Sequence, residues 1–210
     1  MSVKNIKWIF FDIGSTLVDE SKAYEHRIKD TIQNADITYN QFYNMMINFA
    51  KQGKNGYIET AKELNLKTTK WHSEDEFLYP DTVSALKLLS EKYKIGIIAN
   101  QPLGTKERLN KMGIDKYISL VISSAEENVS KPDLRIFQLA LDRAGCSPDK
   151  AIMVGDRLDN DIVPAKTIGM KTIWLKQGLG GLATPKNESE TADFTVESIS
   201  EIRGCLEGFC

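Results

Sequence analysis

Short apolar runs of strand length, each followed by a stretch with helical spacing, constrain this chain more than any other feature. Residues 7–12 (KWIFFD), 95–100 (IGIIAN), 120–123 (LVIS), 151–156 (AIMVGD) and 170–175 (MKTIWL) are short and rich in β-branched or aromatic side chains. Most are apolar on both faces, as a parallel sheet requires when helices cover it on each side. Helical patterns lie between them. Residues 82–93 (TVSALKLLSEKY) put Val83, Leu86 and Leu89 at i, i+3 and i+6, and a shorter pattern covers 105–112. Residues 132–144 open on Pro132, suited to a first helical turn, and stop at Gly145; residues 160–168 stop at Gly169. This alternation predicts an α/β fold, a Rossmann-like doubly wound parallel sheet.

Residues 21–70 break that rhythm. Helical spacing follows helical spacing over 23–34, 39–51 and 58–64, punctuated by Gly53 and Gly56, with no strand pattern between. The simplest reading is an inserted helical cap of residues 19–79 on a core of residues 1–18 and 80–210. Residues 178–195 read as a long loop before a last short strand and helix. The 27 Lys and Arg against 29 Asp and Glu give a net charge of −2, which offers no electrostatic footprint for nucleic acid or an anionic membrane. No apolar run approaches the roughly 18 residues of a spanning helix. Cys146, Cys205 and Cys210 form no CxxC, so neither a disulfide framework nor a zinc site is expected. The default is a cytoplasmic protein with reduced thiols.

Ligands of open α/β sheets collect at the carboxyl ends of the strands. Those ends carry Asp12 followed by Gly14, Ser15 and Thr16, then Ala99 and Asn100, then Lys131 before Pro132, and finally Gly155 and Asp156 with Asp159 and Asp161 beyond. Two or three carboxylates and one lysine therefore converge on one edge of the sheet. Carboxylate oxygens suit Mg²⁺, a hard cation that prefers an octahedral oxygen shell.

This order of elements, from residue 7 to residue 175, resembles the haloacid dehalogenase superfamily. The helical insert is similar to that family's small helical (C1-type) cap, and residues 78–89 (LYPDTVSALKLL) look like the segment that re-enters the core. The resemblance implies a Mg²⁺-dependent phosphatase or phosphotransferase acting on a small phosphorylated metabolite. Asp12 would be the nucleophile that forms an aspartyl phosphate, and Lys131 would neutralise charge. Asp12, the Gly14 carbonyl and Asp156 would hold the metal, with Asp161 behind them orienting waters or Lys131. Asn100, Gly14, Ser15 and Thr16 would face the phosphate. Neither nucleic acid nor a membrane is implied as a partner, and the chain would be a monomer or homodimer.

Two positions depart from the family pattern. Gly14 stands where phosphatases of the family carry a second Asp, the general acid, and Ala99 where a Ser or Thr binds the phosphoryl group. The Gly14 carbonyl survives the change, but the proton donor does not, so an Asp restored at position 14 should raise hydrolysis of alkyl phosphates. General acid–base catalysis contributes about 10²–10⁴-fold, so the resemblance implies a weakened enzyme. Two other readings stay open: a regulatory protein that binds a phosphorylated metabolite, and a dehalogenase or phosphonatase-type hydrolase acting on carbon. His26 and His72 read as surface or packing residues, Lys54 as part of a solvated turn, and Arg157 as either a surface residue or a charge beside the metal.

Overall fold

Trp8 and Phe10 pack on one side of the central strand and Ile9 and Phe11 on the other, with all four buried. A strand apolar on both faces must lie inside a layered molecule. The protein is described by a computed structural model over residues 5–208. This first strand, β1 (Trp8–Phe11), leads through β2 (Val18–Asp19) to α1 (Ser21–Ile32), α2 (Tyr39–Lys51) and α3 (Gly56–Glu63), and the chain returns through β3 (Phe77–Leu78). There follow α4 (Thr82–Ser90), β4 (Lys94–Ala99), α5 (Thr105–Lys111), β5 (Leu120–Ser123), α6 (Ser124–Glu127), α7 (Leu134–Ala144) and β6 (Ala151–Gly155). A π-helical turn (Leu158–Ile162), α8 (Val163–Thr167), β7 (Lys171–Leu175), β8 (Phe194–Val196) and α9 (Ile202–Glu207) complete it.

Six strands pair in parallel in the order β5-β4-β1-β6-β7-β8, as the sequence predicts for a doubly wound α/β fold. The chain builds outward from β1 through β4 and β5, then crosses to β6 on the other side. The resulting crevice at the carboxyl end of β1 is the topological switch point. Leu86 and Leu89 of α4, Leu109 of α5 and Ile202 of α9 pack on the Ile9 and Phe11 face. Ile136, Phe137, Ala140 and Leu141 of α7 and Ala165 of α8 cover the other. Gly96 of β4 leaves room for the Phe10 ring, which a Cβ there would strike.

Some boundaries differ from the sequence reading for local reasons. The pattern expected as a helix over 160–168 is a π-helical turn followed by α8, whose first turn contains Pro164. Proline has no N–H to continue an α-helical ladder backward. The helix expected from Pro132 starts at Leu134 because the Asp133 side chain caps it, accepting from the Arg135 N–H at 2.9 Å. Cys146 is a free thiol, and Cys210 lies outside the described residues. Among the described residues no helix is long and apolar enough to cross a membrane.

The inserted helices have a core of their own, in which Ile28, Phe42, Met46, Tyr57 and Ala61 are buried together. The two chain passages into this insert run side by side, because β2 and β3 pair antiparallel through Val18–Leu78 and Asp19–Phe77. Thr82 Oγ1 donates to the Leu17 carbonyl at 2.8 Å and ties the returning chain to the loop after Asp12. A second tie is not visible in the sequence. His26 and His72 stack with ring centroids 3.5 Å apart, and the buried His72 lies with Nε2 2.8 Å from Asp30 and Nδ1 3.2 Å from Glu74. His26 Nδ1 is 2.8 Å from Asp75. The Asp30 hydrogen bond holds His72 above the ordinary imidazole pKa, against the opposing effect of burial and with help from Glu74.

A group whose folded pKa exceeds its unfolded value, near 6.5 for histidine, stabilises fully below that value, and the contribution fades as pH rises through the folded one. The melting temperature gap between the protein and its His72→Gln variant should therefore be widest near about pH 5.5 and narrow toward about pH 9. Thermal unfolding at several pH values checks this, and a gap independent of pH would show that the imidazolium does not act as the clasp.

Candidate active site

Asp12 follows β1 directly, with its N–H bonded to the Val154 carbonyl at 2.9 Å, so the sheet itself aims this residue into the switch-point crevice. Lys131 arrives from the other side, on the loop between α6 and α7. Its Nζ lies 2.8 Å from Asp12 Oδ1 and 2.6 Å from Asp161 Oδ1, and its side chain is only 2% exposed. Asn100, just past β4, holds that loop in place. Its Oδ1 accepts the Lys131 N–H at 2.8 Å, and its Nδ2 donates to the Lys131 carbonyl at 2.9 Å. The Asn100 side chain thus positions the lysine loop, and Asn100 also lines the same cavity as Asp12. The Lys131–Pro132 peptide is cis.

Asp161 is delivered by the π-helical turn and is fully buried. Its Oδ2 accepts the Arg157 N–H at 3.0 Å, and Gly155 makes space for it, since a Cβ there would come within 2.6 Å of the Asp161 Cβ. Asp156 is held by its backbone, whose carbonyl accepts from Trp174 Nε1 at 2.6 Å. Gly180, on the loop after β7, lies against it closely enough that a Cβ would come within 2.9 Å of Asp156 Cγ. Among the described residues, no donor reaches the Asp156 carboxylate itself.

Carboxyl groups outnumber ammonium groups here. Asp12, Asp156 and Asp161 offer oxygens within 4.8 Å of one another, and Lys131 is the ammonium set between Asp12 and Asp161. Burial, then Asp161 and Asp12, pushes the Asp156 carboxyl well above the usual carboxylate range. Burial raises Asp161 as well, against the attraction of Lys131. Burial alone would lower the Lys131 pKa, but Asp12 and Asp161 outweigh it and hold the ammonium above its ordinary value. The lysine therefore stays charged. A buried, donor-free carboxyl group in an all-oxygen cluster fits a hard divalent cation.

A cavity of about 220 Å³ opens over this cluster, with Asp12, Lys131 and Asp156 in its wall. Lys54, Asn55 and Gly56, between α2 and α3, line its far side. Lys54 is therefore part of the site, although its sequence context reads as a solvated turn. Arg157 also lines the cavity, and its guanidinium is bonded to Asp159 through Nε at 3.0 Å and Nη2 at 2.5 Å.

The loop after Asp12 folds tightly. Ser15 has a left-handed φ of 54°, uncommon for a residue with a side chain, and its N–H donates to the Val18 carbonyl at 2.8 Å. The Thr16 N–H donates to the Ile13 carbonyl at 3.2 Å, and Thr16 is fully buried away from the cavity. Of the residues expected around the phosphate, Gly14, Ser15 and Asn100 line the cavity and Thr16 does not. Glu20 lines it too, a residue that sequence reasoning passes over. Burial is the main reason its carboxyl is pushed up to about 8, with the Ser15 hydrogen bond opposing and Asp12 adding to the shift.

Removing the buried ammonium from this cluster leaves Asp12 and Asp161 without the cation between them. Lys131→Met should cost about 3–5 kcal/mol of stability. Urea unfolding measures it, and millimolar Mg²⁺ should restore part of the loss, because a divalent cation supplies the missing positive charge.

Residues 9–175 match the family model of haloacid dehalogenase-like hydrolases. The glyceraldehyde 3-phosphate phosphatase of Pyrococcus furiosus is 31% identical over 98% of this chain and 95% of its own length. The pyrimidine 5'-nucleotidase YjjG of Escherichia coli is 38% identical over 60% of this chain and 56% of its own. Among solved structures, a HAD phosphatase from Thermococcus onnurineus superposes with a TM-score of 0.67 at 25% identity, covering 97% of this chain and 99% of that one. The family match runs from β1 to β7 and takes in Asp12, Lys131 and Asp156, and this chain belongs to the haloacid dehalogenase-like hydrolases.

Proposed function

We propose that this protein is a Mg²⁺-dependent phosphatase that hydrolyses a small phosphorylated metabolite by way of an aspartyl phosphate at Asp12. The observation that carries the reading is the buried Lys131 ammonium 2.8 Å from Asp12 Oδ1, in the floor of a cavity that also holds Asp156. A phosphate dianion approaching a carboxylate nucleophile meets like-charge repulsion, and a fixed cation beside the nucleophile offsets it. Asp12, Asp156 and the Gly14 carbonyl would hold the metal, which when bound draws charge from the phosphoryl oxygens. Asp161 keeps Lys131 in place and charged. Asn100 sets the lysine loop from behind.

In this reading residues 1–18 and 80–210 form a core that carries the chemistry, and residues 19–79 form a cap that screens it from water and selects the substrate. Lys54 brings a cation from the cap to the far wall of the cavity, suited to an anionic group on the substrate. A cavity of about 220 Å³ suits a short phosphorylated chain. The full-length similarity to a glyceraldehyde 3-phosphate phosphatase supports a substrate of that size.

With Mg²⁺ present, the protein should release inorganic phosphate from small phosphate esters, and chelation with EDTA should stop it. Asp12→Asn should lower turnover to background and leave no acid-stable radioactive label after reaction with ³²P-phosphate esters. Phosphate release by the Asp12→Asn variant at the native rate would overturn the nucleophile. Release of chloride from a 2-haloacid without any phosphate release would favour chemistry on carbon instead.

A further inference from the structure

Position 14 is glycine, so the nucleophile loop itself lacks a carboxyl to pass a proton to the leaving group. The structure fills that place from a different residue. A Cβ on Gly14 would lie 2.8 Å from Glu20 Cδ and 3.0 Å from Glu20 Oε2, and nearer still to Oε1. The Glu20 carboxyl thus occupies the volume into which a side chain at position 14 would project. Ser15 Oγ donates to Glu20 Oε2 at 3.0 Å and fixes one oxygen, leaving Oε1 the one closest to Gly14. Glu20 shares the cavity wall with Asp12 and Lys131.

A bland structural role is available to Glu20, since it stands at the N-cap of α1. Its side chain makes no capping hydrogen bond there. Instead the short β2–β3 ribbon brings the chain back over the nucleophile loop, and the glutamate turns into the cavity. Glycine at 14 and glutamate at 20 form one arrangement, in which the first residue clears the space that the second fills.

We infer that Glu20 is the proton donor and acceptor of this hydrolase, an assignment that rests on the reading of Asp12 as the nucleophile. In the first step an Asp12 oxygen bonds to phosphorus, the bond from phosphorus to the leaving oxygen breaks, and the Glu20 carboxyl gives its proton to that oxygen. In the second, Glu20, now a carboxylate, takes a proton from water as the water oxygen bonds to phosphorus. The bond from phosphorus to Asp12 then breaks, which restores both carboxyl groups and releases phosphate. In this assignment the acid that position 14 lacks comes from Glu20. An aspartate added at position 14 alone would meet the Glu20 carboxyl in the same space and should not raise activity.

Two esters separate this role from the phosphatase reading beneath it. Glycerol 3-phosphate has an alcohol leaving group that needs a proton, whereas 2,4-dinitrophenyl phosphate has one that does not. Glu20→Gln should lower glycerol 3-phosphate hydrolysis by about 10²–10⁴-fold. With dinitrophenyl phosphate it should still release a stoichiometric burst of dinitrophenol and accumulate phosphorylated Asp12, because only the second step then lacks its base. In a Glu20→Ser background, with the space emptied, adding Gly14→Asp should recover glycerol 3-phosphate hydrolysis by about tenfold or more. The burst also reports that each variant is folded. Equal losses on both esters with no phosphoenzyme build-up, or no rescue by Gly14→Asp, would overturn the role of Glu20 alone. A wild-type protein inert toward both esters would overturn the phosphatase reading, and the role of Glu20 with it.

Discussion

The Lys131 ammonium, buried between Asp12 and Asp161, is the interaction on which the rest of the site depends. Asp12 follows β1, Lys131 lies between α6 and α7, and Asp161 is in the turn after β6, so the parallel sheet is what brings the three together. Collecting three carboxylates in one crevice is costly, because each loses hydration and each repels the others. One lysine offsets part of that cost and cannot offset all of it. What is left uncompensated favours a divalent cation, and Asp12 is already paired with a positive charge. The surrounding packing serves the same end. Gly155 admits Asp161, Trp174 holds the Asp156 backbone, and Asn100 grips the lysine loop at both its N–H and its carbonyl.

Much of this is readable from residue order, because strand ends in a parallel sheet share one edge. Runs such as WIFF and AIMVG are apolar on both faces, which fixes the layering before any contact is known. The residue after each run is then forced toward the switch point, and Asp12, Asn100 and Asp156 follow from that alone. What stays hidden depends on contacts between distant segments. Lys54 reads as solvated because nothing local shows that the turn between α2 and α3 hangs over β1. Asn100 reads as a phosphate contact because its amide partner is the Lys131 backbone, thirty-one positions away along the chain. His26 and His72 read as ordinary surface or packing residues because their stacking joins α1 to the returning passage of the insert.

The two passages matter for how the helical insert relates to the cavity. Lys54, Asn55 and Gly56 line one wall of the cavity, and β2 and β3 are the covalent connections to the sheet. A pair of strands two residues long is a narrow joint. Thr82 ties one side of that joint to the Leu17 carbonyl, and the histidine clasp ties the other to α1. A third contact lies next to Lys54, where Lys186 Nζ donates to the Gln52 carbonyl at 2.8 Å. Leu179, on the loop after β7, also packs against the core of the inserted helices, so the insert is held at the cavity as well as at the joint.

Magnitudes indicate which departures from the family pattern such a site can absorb. A neutral hydrogen bond is worth about 0.5–1.5 kcal/mol net, so Ala99, which brings no hydroxyl, removes little. No neighbour stands in for it. Ser123, its partner on β5, has its hydroxyl 2.9 Å from Thr105 Oγ1 and donates to Glu126. Acid–base assistance of about 10²–10⁴-fold corresponds to about 3–5 kcal/mol of barrier, a loss of a different order. A chain can go without the first and still turn over, whereas the second has to be supplied from somewhere. The departure at position 14 is the one for which the structure holds a replacement, and it lies only six residues along the chain. The carboxyl has moved from the nucleophile loop to the start of the helical insert, so that the segment bearing it also leads into the cap. Proton transfer and substrate enclosure would then depend on the same short stretch of backbone.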